Sequence, residues 1–592
     1  MELVTSIKLA VQRILQEKYR FSTDLAEILV SETKTEFEGD YTVVLFSYSK
    51  ILKVNPELLG NELGQALVDA NSSLFLGFNV IKGFLNLVIA ESQLLEFLNA
   101  NYNHSTYGIQ ESNGKRVMVE YSSPNTNKPL HLGHLRNNFL GWSVAALYRA
   151  AGYDIIKTCI ANDRGIHICK SMVAWQIYAN GTTPESTGIK GDHFVGDYYV
   201  LFGNELKKQT EVLMAGGMTK DLAEKEAPLM KDAQQMLVDW ESGKPDVIDL
   251  WKRMNSWVYA GFDVTYKRIG SDFDKIYYES QTYLLGKNLV NTGLEKNVFF
   301  KKDDGSVWID LTADGLDEKI VQRSDGTAVY MTQDIGLAVE KFEQYHADLS
   351  IYVVADEQNY HFKVLKLICQ KLQLPSAAGI YHLSYGLVEL PSGRMKTREG
   401  TVVDADDIID EMTSIAAKHT EELGKVDDFS AEERVHLYDT IGLGALKFFL
   451  LRVDPKKRML FNPDESIDFH GYTGPFVQYT YARIKSILRK EPVVSYSEEE
   501  TTPLFKLEKD LIIALEKYQT LLQQACTEMN PSLVANYAFN IAKIFNSFYT
   551  EHSVSKAESG YKKQLRLRIC VMTAYVISSS MSLLGIRVPE RM

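Results

Sequence analysis

His131-Leu132-Gly133-His134 sets two imidazoles three residues apart around a glycine, and Lys128 stands just ahead of them. At the first turn of a helix, residues so spaced share one face. Gly133 removes a side chain where another group can come close to the backbone. A helix start also offers free N–H groups and a positive dipole end, which suit a polyphosphate. A four-residue pattern also arises by chance at an ordinary helix start, so further groups have to support it. One is Gly393-Arg-Met-Lys-Thr-Arg-Glu-Gly400, a basic loop bounded by glycines. Lys396 and Arg398 on a mobile loop can close over a triphosphate and stabilise charge as pyrophosphate departs. A plain surface turn is the alternative. Tyr330 and Asp334 place a phenol and a carboxylate four apart, on one helical face.

The elements that must hold these residues are legible from periodicity. Val117–Tyr121 reads as a buried strand, Pro124 and Pro129 fix the following turn, and Leu132, Leu135, Phe139, Leu140, Val144 and Leu147 recur at helical spacing. Asp154–Ile160, Ile351–Ala355 and His382–Val388 are further candidate strands, with a helix at about 359–372. Alternation of this kind predicts a parallel α/β sheet with ligands at the carboxyl ends of its strands. Glu120, His131 and the loop after Ala355 then face one crevice. A charged, partly helical stretch at about 181–268 interrupts the alternation as an insertion. Ahead of the sheet, residues 1–110 read as a small α+β unit containing a hairpin over 78–89 that turns at Lys82-Gly83. From about residue 404 the chain is helical, and Val534, Tyr537, Ile541, Phe545 and Phe548 form one apolar stripe.

At 592 residues the chain has room for several domains, and its 45% hydrophobic and 24% charged content is that of a soluble globular protein. No apolar run is long enough to span a membrane, and the first residues lack the layout of a secretion signal, so a cytoplasmic protein is expected. The 5 cysteines include no C-x-x-C pair, which predicts reduced thiols and neither disulfides nor zinc. Net charge of −13 disfavours nucleic acid as a whole. Binding depends on local patches, however, and the last quarter carries Arg483, Lys485, Arg489 and Lys490, then Lys556, Lys562, Lys563, Arg566 and Arg568. A solvated helix face is the other reading of those charges.

Glu120-Tyr-Ser-Ser-Pro-Asn-Thr-Asn-Lys-Pro-Leu-His-Leu-Gly-His134 resembles the "HIGH" signature of class I aminoacyl-tRNA synthetases, in the form seen in arginyl-tRNA synthetases. The Gly393–Gly400 loop resembles the second class signature, "KMSKS", with Thr397 where the second lysine would stand. The arginyl family commonly lacks that lysine, and one just ahead of the first histidine, here Lys128, is thought to compensate. Whether Lys128, Lys396 or both face the phosphates stays open. Gly39-Asp-Tyr41 and Gly83-Phe-Leu-Asn86 are similar to strings of the family's N-terminal additional domain. Thr473–Arg483, Phe545–Tyr549 and the closing Pro-Glu-Arg-Met592 resemble its C-terminal anticodon-binding domain.

The resemblance implies a multidomain α/β protein: a class I Rossmann-type catalytic domain with an N-terminal α+β additional domain and a C-terminal all-α anticodon-binding bundle. By position these are residues 1–110, 111–403 with the insertion at 181–268, a helical stem at 404–468, and 469–592. It implies ATP, carried with Mg²⁺, and L-arginine and tRNA(Arg) as partners of a monomer that activates arginine only with tRNA bound. The roles carried over by motif are these. Lys128, His131, His134, Lys396 and Arg398 would be catalytic, and His131, Gly133, His134, Met395 and Thr397 would hold ATP. Glu279, Tyr330 and Asp334 would take the guanidinium, and Glu120, Asn125 and Gln358 the ammonium. Tyr479, Arg483 and Met592 would touch tRNA, in whose binding residues 1–110 would reach the outer corner. Two rivals remain: another nucleotidyl-transferring enzyme of the class, such as a different synthetase or a small adenylate-forming ligase, and a non-catalytic RNA-binding scaffold. The Tyr330/Asp334 pair and the carboxyl-terminal ending oppose the first. The intact imidazole pair with the Lys396–Arg398 loop opposes the second.

Overall fold

The computed structural model describes residues 3–34, 36–389, 403–422, 424, 426, 428–494 and 502–592. Met395, Lys396, Thr397 and Arg398 lie outside the described residues. At the amino end, α1 (Leu3–Tyr19) and α2 (Pro56–Ala70) accompany an antiparallel sheet of β1 (Val30–Glu32), β2 (Tyr41–Val44), β3 (Phe75–Ile81) and β4 (Phe84–Ile89), ordered β1-β2-β4-β3. Lys82 and Gly83, at φ +49° and +81°, turn the expected hairpin, and successive left-handed residues match the strands' twist. α3 (Glu91–Asn101) leads out of this unit.

A five-stranded parallel sheet follows. β5 (Arg116–Glu120) passes through α4 (Leu132–Ala150) to β6 (Asp154–Ala161). α5 (Ile166–Tyr178) then leads into the insertion, which is helical: α6 (Gly191–Ala215), α7 (Pro228–Glu241) and α8 (Pro245–Ile269). β7 (Lys275–Tyr278) returns to the sheet, and its four residues were not anticipated as a strand. A second excursion, also unforeseen, is a small antiparallel sheet of β8 (Phe300–Lys301), β9 (Val307–Ile309) and β10 (Lys319–Gln322). Next come α9 (Tyr330–Tyr345), β11 (Leu349–Ala355), α10 (Asn359–Lys371) and β12 (Ile380–Tyr385).

The strand order is β12-β11-β5-β6-β7. From β5 the chain builds outward to β6 and β7, then returns to lay β11 against the other edge of β5. That reversal makes the β5/β11 boundary the topological switch point, where ligands of open α/β sheets bind. The expected strand 382–388 is not continuous. β12 stops at Tyr385, Gly386 N–H donates to Pro455 (2.9 Å), and β13 (Val388–Glu389) pairs elsewhere.

α11 (Ala405–Glu422) and α12 (Ala431–Leu451) precede β14 (Met459–Leu460), the partner of β13. The last unit packs α13 (Gly474–Lys490), α14 (Lys506–Glu516), α15 (Tyr518–Thr527), α16 (Pro531–Glu551) and α17 (Gly560–Leu583). Its apolar stripe is core: Val534, Ile541, Phe545 and Phe548 are buried. The bundle touches both other units. α4 packs against α12, α15, α16 and α17. Buried Glu516 accepts Leu3 N–H at 2.6 Å and the Tyr41 hydroxyl at 3.3 Å, and Lys509 pairs with Asp40 at 2.7 Å. The first and last domains are therefore joined by charge and hydrogen bonds.

Candidate active site

The chain leaves β5 through Ser122 and Ser123, both non-glycine residues at positive φ (+74° and +47°). Two such residues in succession are strained and persist only when their surroundings fix them. Asn137 Oδ1 accepts Ser122 N–H at 2.5 Å, and Asn138 Nδ2 donates to Ser122 Oγ at 2.9 Å. From β6's end, Asn162 Nδ2 donates to Ser123 O at 3.1 Å. α4 thus clamps the turn that delivers its own first residues.

His131 is the N-cap of α4. Its Nδ1 accepts Gly133 N–H at 3.1 Å, and His134 Nδ1 accepts His131 N–H at 3.1 Å. With both Nδ1 atoms accepting, the ring protons are assigned to Nε2. Burial, aided by Lys128, brings the His131 pKa down to about 3. Burial, then His131 and Lys128, holds that of His134 well below the usual imidazole value. Both rings are neutral at pH 7, so each offers one Nε2–H donor. A Cβ at Gly133 would stand 3.0 Å from His131 Cε1 and 3.1 Å from its Nδ1, so a side chain there would press on the imidazole that caps the helix. Burial also lowers the Lys128 pKa. The chain that resumes after the Gly393–Gly400 loop is tied to this tip: Leu132 N–H donates to Val403 O (3.3 Å) and Ala405 N–H to Leu130 O (3.0 Å).

A cavity of about 540 Å³ opens at the switch point; Glu120 of β5 and Gln358 of the loop after β11 line it, whereas Lys128, His131, Gly133 and His134 are not among its lining residues. Glu120, Asn125, Glu279, Tyr330, Asp334 and Gln358 all line it. They come from the end of β5, the turn after it, the end of β7, the start of α9 and the turn after β11. Asp334 Oδ2 meets His361 Nε2 at 2.6 Å, and Glu120 pairs with the ammonium of Lys341. Tyr330 is 72% exposed and stands at the mouth. Glu279 is placed by buried Asp163, whose carboxylate accepts Ser280 N–H (2.8 Å), Ser280 Oγ (2.7 Å) and the Tyr259 hydroxyl (2.8 Å). Burial pushes the Glu279 carboxyl up to about 7; Arg164 works against this, while Asp163 and Asp334 add to it. Three acidic side chains therefore face one space, a setting for an elongated substrate cation.

The same wall contains residues that sequence reasoning did not single out: Ser123, Asn162, Arg164, His167, Lys341 and His361. His361 had a signal, because it ends the polar string after Ala355. Arg164 follows β6 in an Asn-Asp-Arg-Gly turn, and it is held by the insertion. Its Nη2 donates to Glu241 at 2.9 Å, and its guanidinium lies 5.3 Å from the Trp240 ring and 4.0 Å from Tyr283. Lys341, one lysine within a helix, gave no signal at all.

The insertion also holds the chain beyond the Gly393–Gly400 loop. Lys190 Nζ bridges Asp192 (3.0 Å) and Asp406 (2.6 Å), and His193 Nε2 lies 3.2 Å from Asp406. Among the described residues only Asp192, His193 and Asp406 have ligand atoms close enough together for a metal ion, within 4.8 Å. The Lys190 ammonium supplies positive charge to that group.

Tyr479, Arg483 and Met592 line one surface pocket of about 390 Å³ with Phe429, Arg489, Lys490, Tyr549 and Arg591. The Arg483 guanidinium lies 5.0 Å from the Tyr479 ring and 5.4 Å from Tyr549, and it donates to Asn546. The second basic set is different in kind. Lys562 and Arg566 are interior, paired with fully buried Glu508 at 2.6 Å and 2.8 Å. Those two are neither a patch nor a solvated face.

A parallel sheet, an imidazole-capped helix at its switch point and a helical bundle behind that helix define a class I aminoacyl-tRNA synthetase fold. Residues 96–462 match the family "tRNA synthetases class I (R), catalytic domain", and residues 477–592 match "DALR anticodon binding domain". The chain is 52% identical to the arginine–tRNA ligase of Flavobacterium psychrophilum, covering 99% of this chain and 98% of that one. It is 51% identical to that of Parabacteroides distasonis, covering 98% of each. In fold it is similar to the Thermus thermophilus arginyl-tRNA synthetase, with TM-score 0.80 and 23% identity over 99% of both chains. The Plasmodium falciparum arginyl-tRNA synthetase gives TM-score 0.78 and 18% identity over 100% of both. This chain belongs to the arginyl-tRNA synthetase family.

Proposed function

We propose that this protein joins L-arginine to tRNA(Arg) in two steps, with ATP supplied as its Mg²⁺ complex. The observation that carries the assignment is the meeting of six side chains, from five separate elements, around one cavity of about 540 Å³ at the switch point of the sheet. Asp334, Tyr330 and Glu279 take the guanidinium, a planar cation with five donors. Glu120, Asn125 and Gln358 take the ammonium. Held in this way, the arginine carboxylate attacks the α-phosphorus of ATP. The bond from that phosphorus to the bridging oxygen breaks, and pyrophosphate leaves with the electron pair. No side-chain nucleophile is needed, so catalysis rests on positioning and charge stabilisation. The Nε2–H groups of His131 and His134 donate to phosphate oxygens, with Gly133 leaving the backbone open to them. Lys128, Lys396 and Arg398 offset the growing charge, and Met395 and Thr397 contact the nucleotide. A ribose hydroxyl of the terminal adenosine of tRNA then attacks the arginyl carbonyl, and AMP leaves.

Tyr479, Arg483 and Met592 read the anticodon end, where a cation between aromatic rings suits a stacked base. Residues 1–110 reach the outer corner of the tRNA, 111–403 carry the chemistry, 404–468 form the stem and 469–592 the anticodon domain. The protein works as a cytoplasmic monomer; among the described residues no helix is long and apolar enough to cross a membrane. ATP–pyrophosphate exchange across all twenty amino acids, with and without tRNA, tests the assignment. Exchange with arginine alone among them, and only when tRNA(Arg) is present, is expected. Exchange with another amino acid, or none under any condition, overturns it.

A further inference from the structure

Tyr330, Asp334, Leu337 and Lys341 line the cavity from α9 at the i, i+4, i+7, i+11 spacing of one helical face. The first two are the guanidinium seats. The last is a cation at the other end of the same face, and its side chain is only 2% exposed. Its ammonium donates to Glu120 Oε2 and lies 5.3 Å from the ring of Tyr277 on β7 and 5.0 Å from that of Tyr352 on β11. Tyr352 is the register partner of Glu120 across the β5/β11 boundary. The Tyr277 hydroxyl in turn donates to Gln344 of α9 at 2.7 Å. One lysine therefore joins a helix to three strands of the sheet, and a buried charge so placed is costly unless its partner stays paired. Glu120 Oε1 makes no hydrogen bond to the protein among the described residues, which leaves it to the substrate ammonium.

We propose that Lys341 is a positioning residue that sets the length of cationic amino acid the cavity accepts. It grips the ammonium seat, Glu120, from the helix that carries the guanidinium seats, Tyr330 and Asp334. Two helical turns, about 10 Å, separate Asp334 from Lys341. Side chains on a helix lean toward its start, which brings the Lys341 ammonium, and the Glu120 carboxylate it holds, nearer the guanidinium seats than the backbone spacing alone. Any displacement of α9 carries both ends of the site together. This proposal rests on the cavity being the arginine site, so the test has to separate the two.

Lys341→Met keeps the bulk and removes the grip. Its arginine KM is expected to rise at least about twentyfold while the ATP KM stays within about twofold. The preference for arginine over homoarginine, one methylene longer, should fall at least about fivefold. Lys341→Arg keeps the charge and alters the reach, so it serves if the methionine variant does not fold. It should raise the arginine KM about three- to tenfold, again without moving that of ATP. Arginine and ATP KM moving together, or an unchanged homoarginine ratio, would mark Lys341 as merely structural and overturn the proposal. Asp334→Ala run in parallel separates the layers. If it leaves the arginine KM unmoved, the site assignment itself fails. If it raises that KM while both Lys341 variants behave as wild type, only the positioning role fails.

Discussion

The cavity at the switch point and the interior of the C-terminal bundle use the same residue types to opposite ends. In the bundle, Glu508 is fully buried and both its oxygens are taken, by Lys562 and Arg566, whose other donors reach Pro503 O, Ser553 O and Glu558. Charge there is consumed by the fold. In the cavity, Glu120, Glu279 and Asp334 face about 540 Å³ of open space, and each borders one resident cation or imidazole: Lys341, Arg164 and His361. Under the proposed function, charge there is held in readiness for a substrate. Breaking a charge should therefore cost stability in the first region and binding in the second.

The largest effect is expected in the bundle. Glu508→Gln leaves two buried cations without their carboxylate, at a cost of ~3–5 kcal/mol in unfolding free energy. Urea denaturation reads this directly, and arginine KM in the folded fraction should not change. In the cavity, Asp334→Ala should leave unfolding almost untouched and lower kcat/KM for arginine by ~3 kcal/mol, roughly 150-fold, because a desolvated guanidinium loses its charge partner. A variant that melts like the Glu508 one but binds arginine normally would erase the distinction between the two regions.

His134→Ala sharpens the comparison with a group that carries no charge at all. Its Nε2–H donor is neutral, so its loss should appear in kcat more than in the KM for ATP, at ~2–3 kcal/mol. Single-turnover formation of arginyl-adenylate with tRNA present measures this, and a wild-type turnover number would remove the imidazole from the mechanism.

How much of this could be read in advance follows the same division. Residues proposed to meet the substrate sit in strings with unusual chemistry, such as Glu120 to His134 and Tyr330 to Asp334, and those strings stand out against periodicity. Residues that act on them do not. Lys341 is one lysine in an amphipathic helix, and nothing local marks it as buried. Lys562 and Arg566 looked like surface charge because burial depends on Glu508, more than fifty residues away in sequence. β7 was missed because four residues, Lys275–Tyr278, carry too little period to be seen. The strand expected over 382–388 broke because loop 454–457 competes for its backbone, a partner that no local pattern reveals. The insertion could be located but not interpreted, since its part in holding Arg164 and Asp406 runs through tertiary contacts.

The smallest effect is also the most diagnostic of charge held in readiness. Burial, with Asp163 and Asp334 nearby, raises Glu279 to about 7 in the free protein despite Arg164. An arriving guanidinium adds positive charge beside it and favours the ionised form, so binding below that pH releases a proton. The sign follows: arginine KM should fall as pH rises toward 7, by at most about tenfold per unit (~1.4 kcal/mol), and flatten above it. Arginine KM measured between about pH 5.5 and 8.5 for wild type and Glu279→Gln tests this. The variant should lose the acid limb. If both proteins give the same profile, the titrating group lies elsewhere and Glu279 belongs with the charges the fold has already consumed.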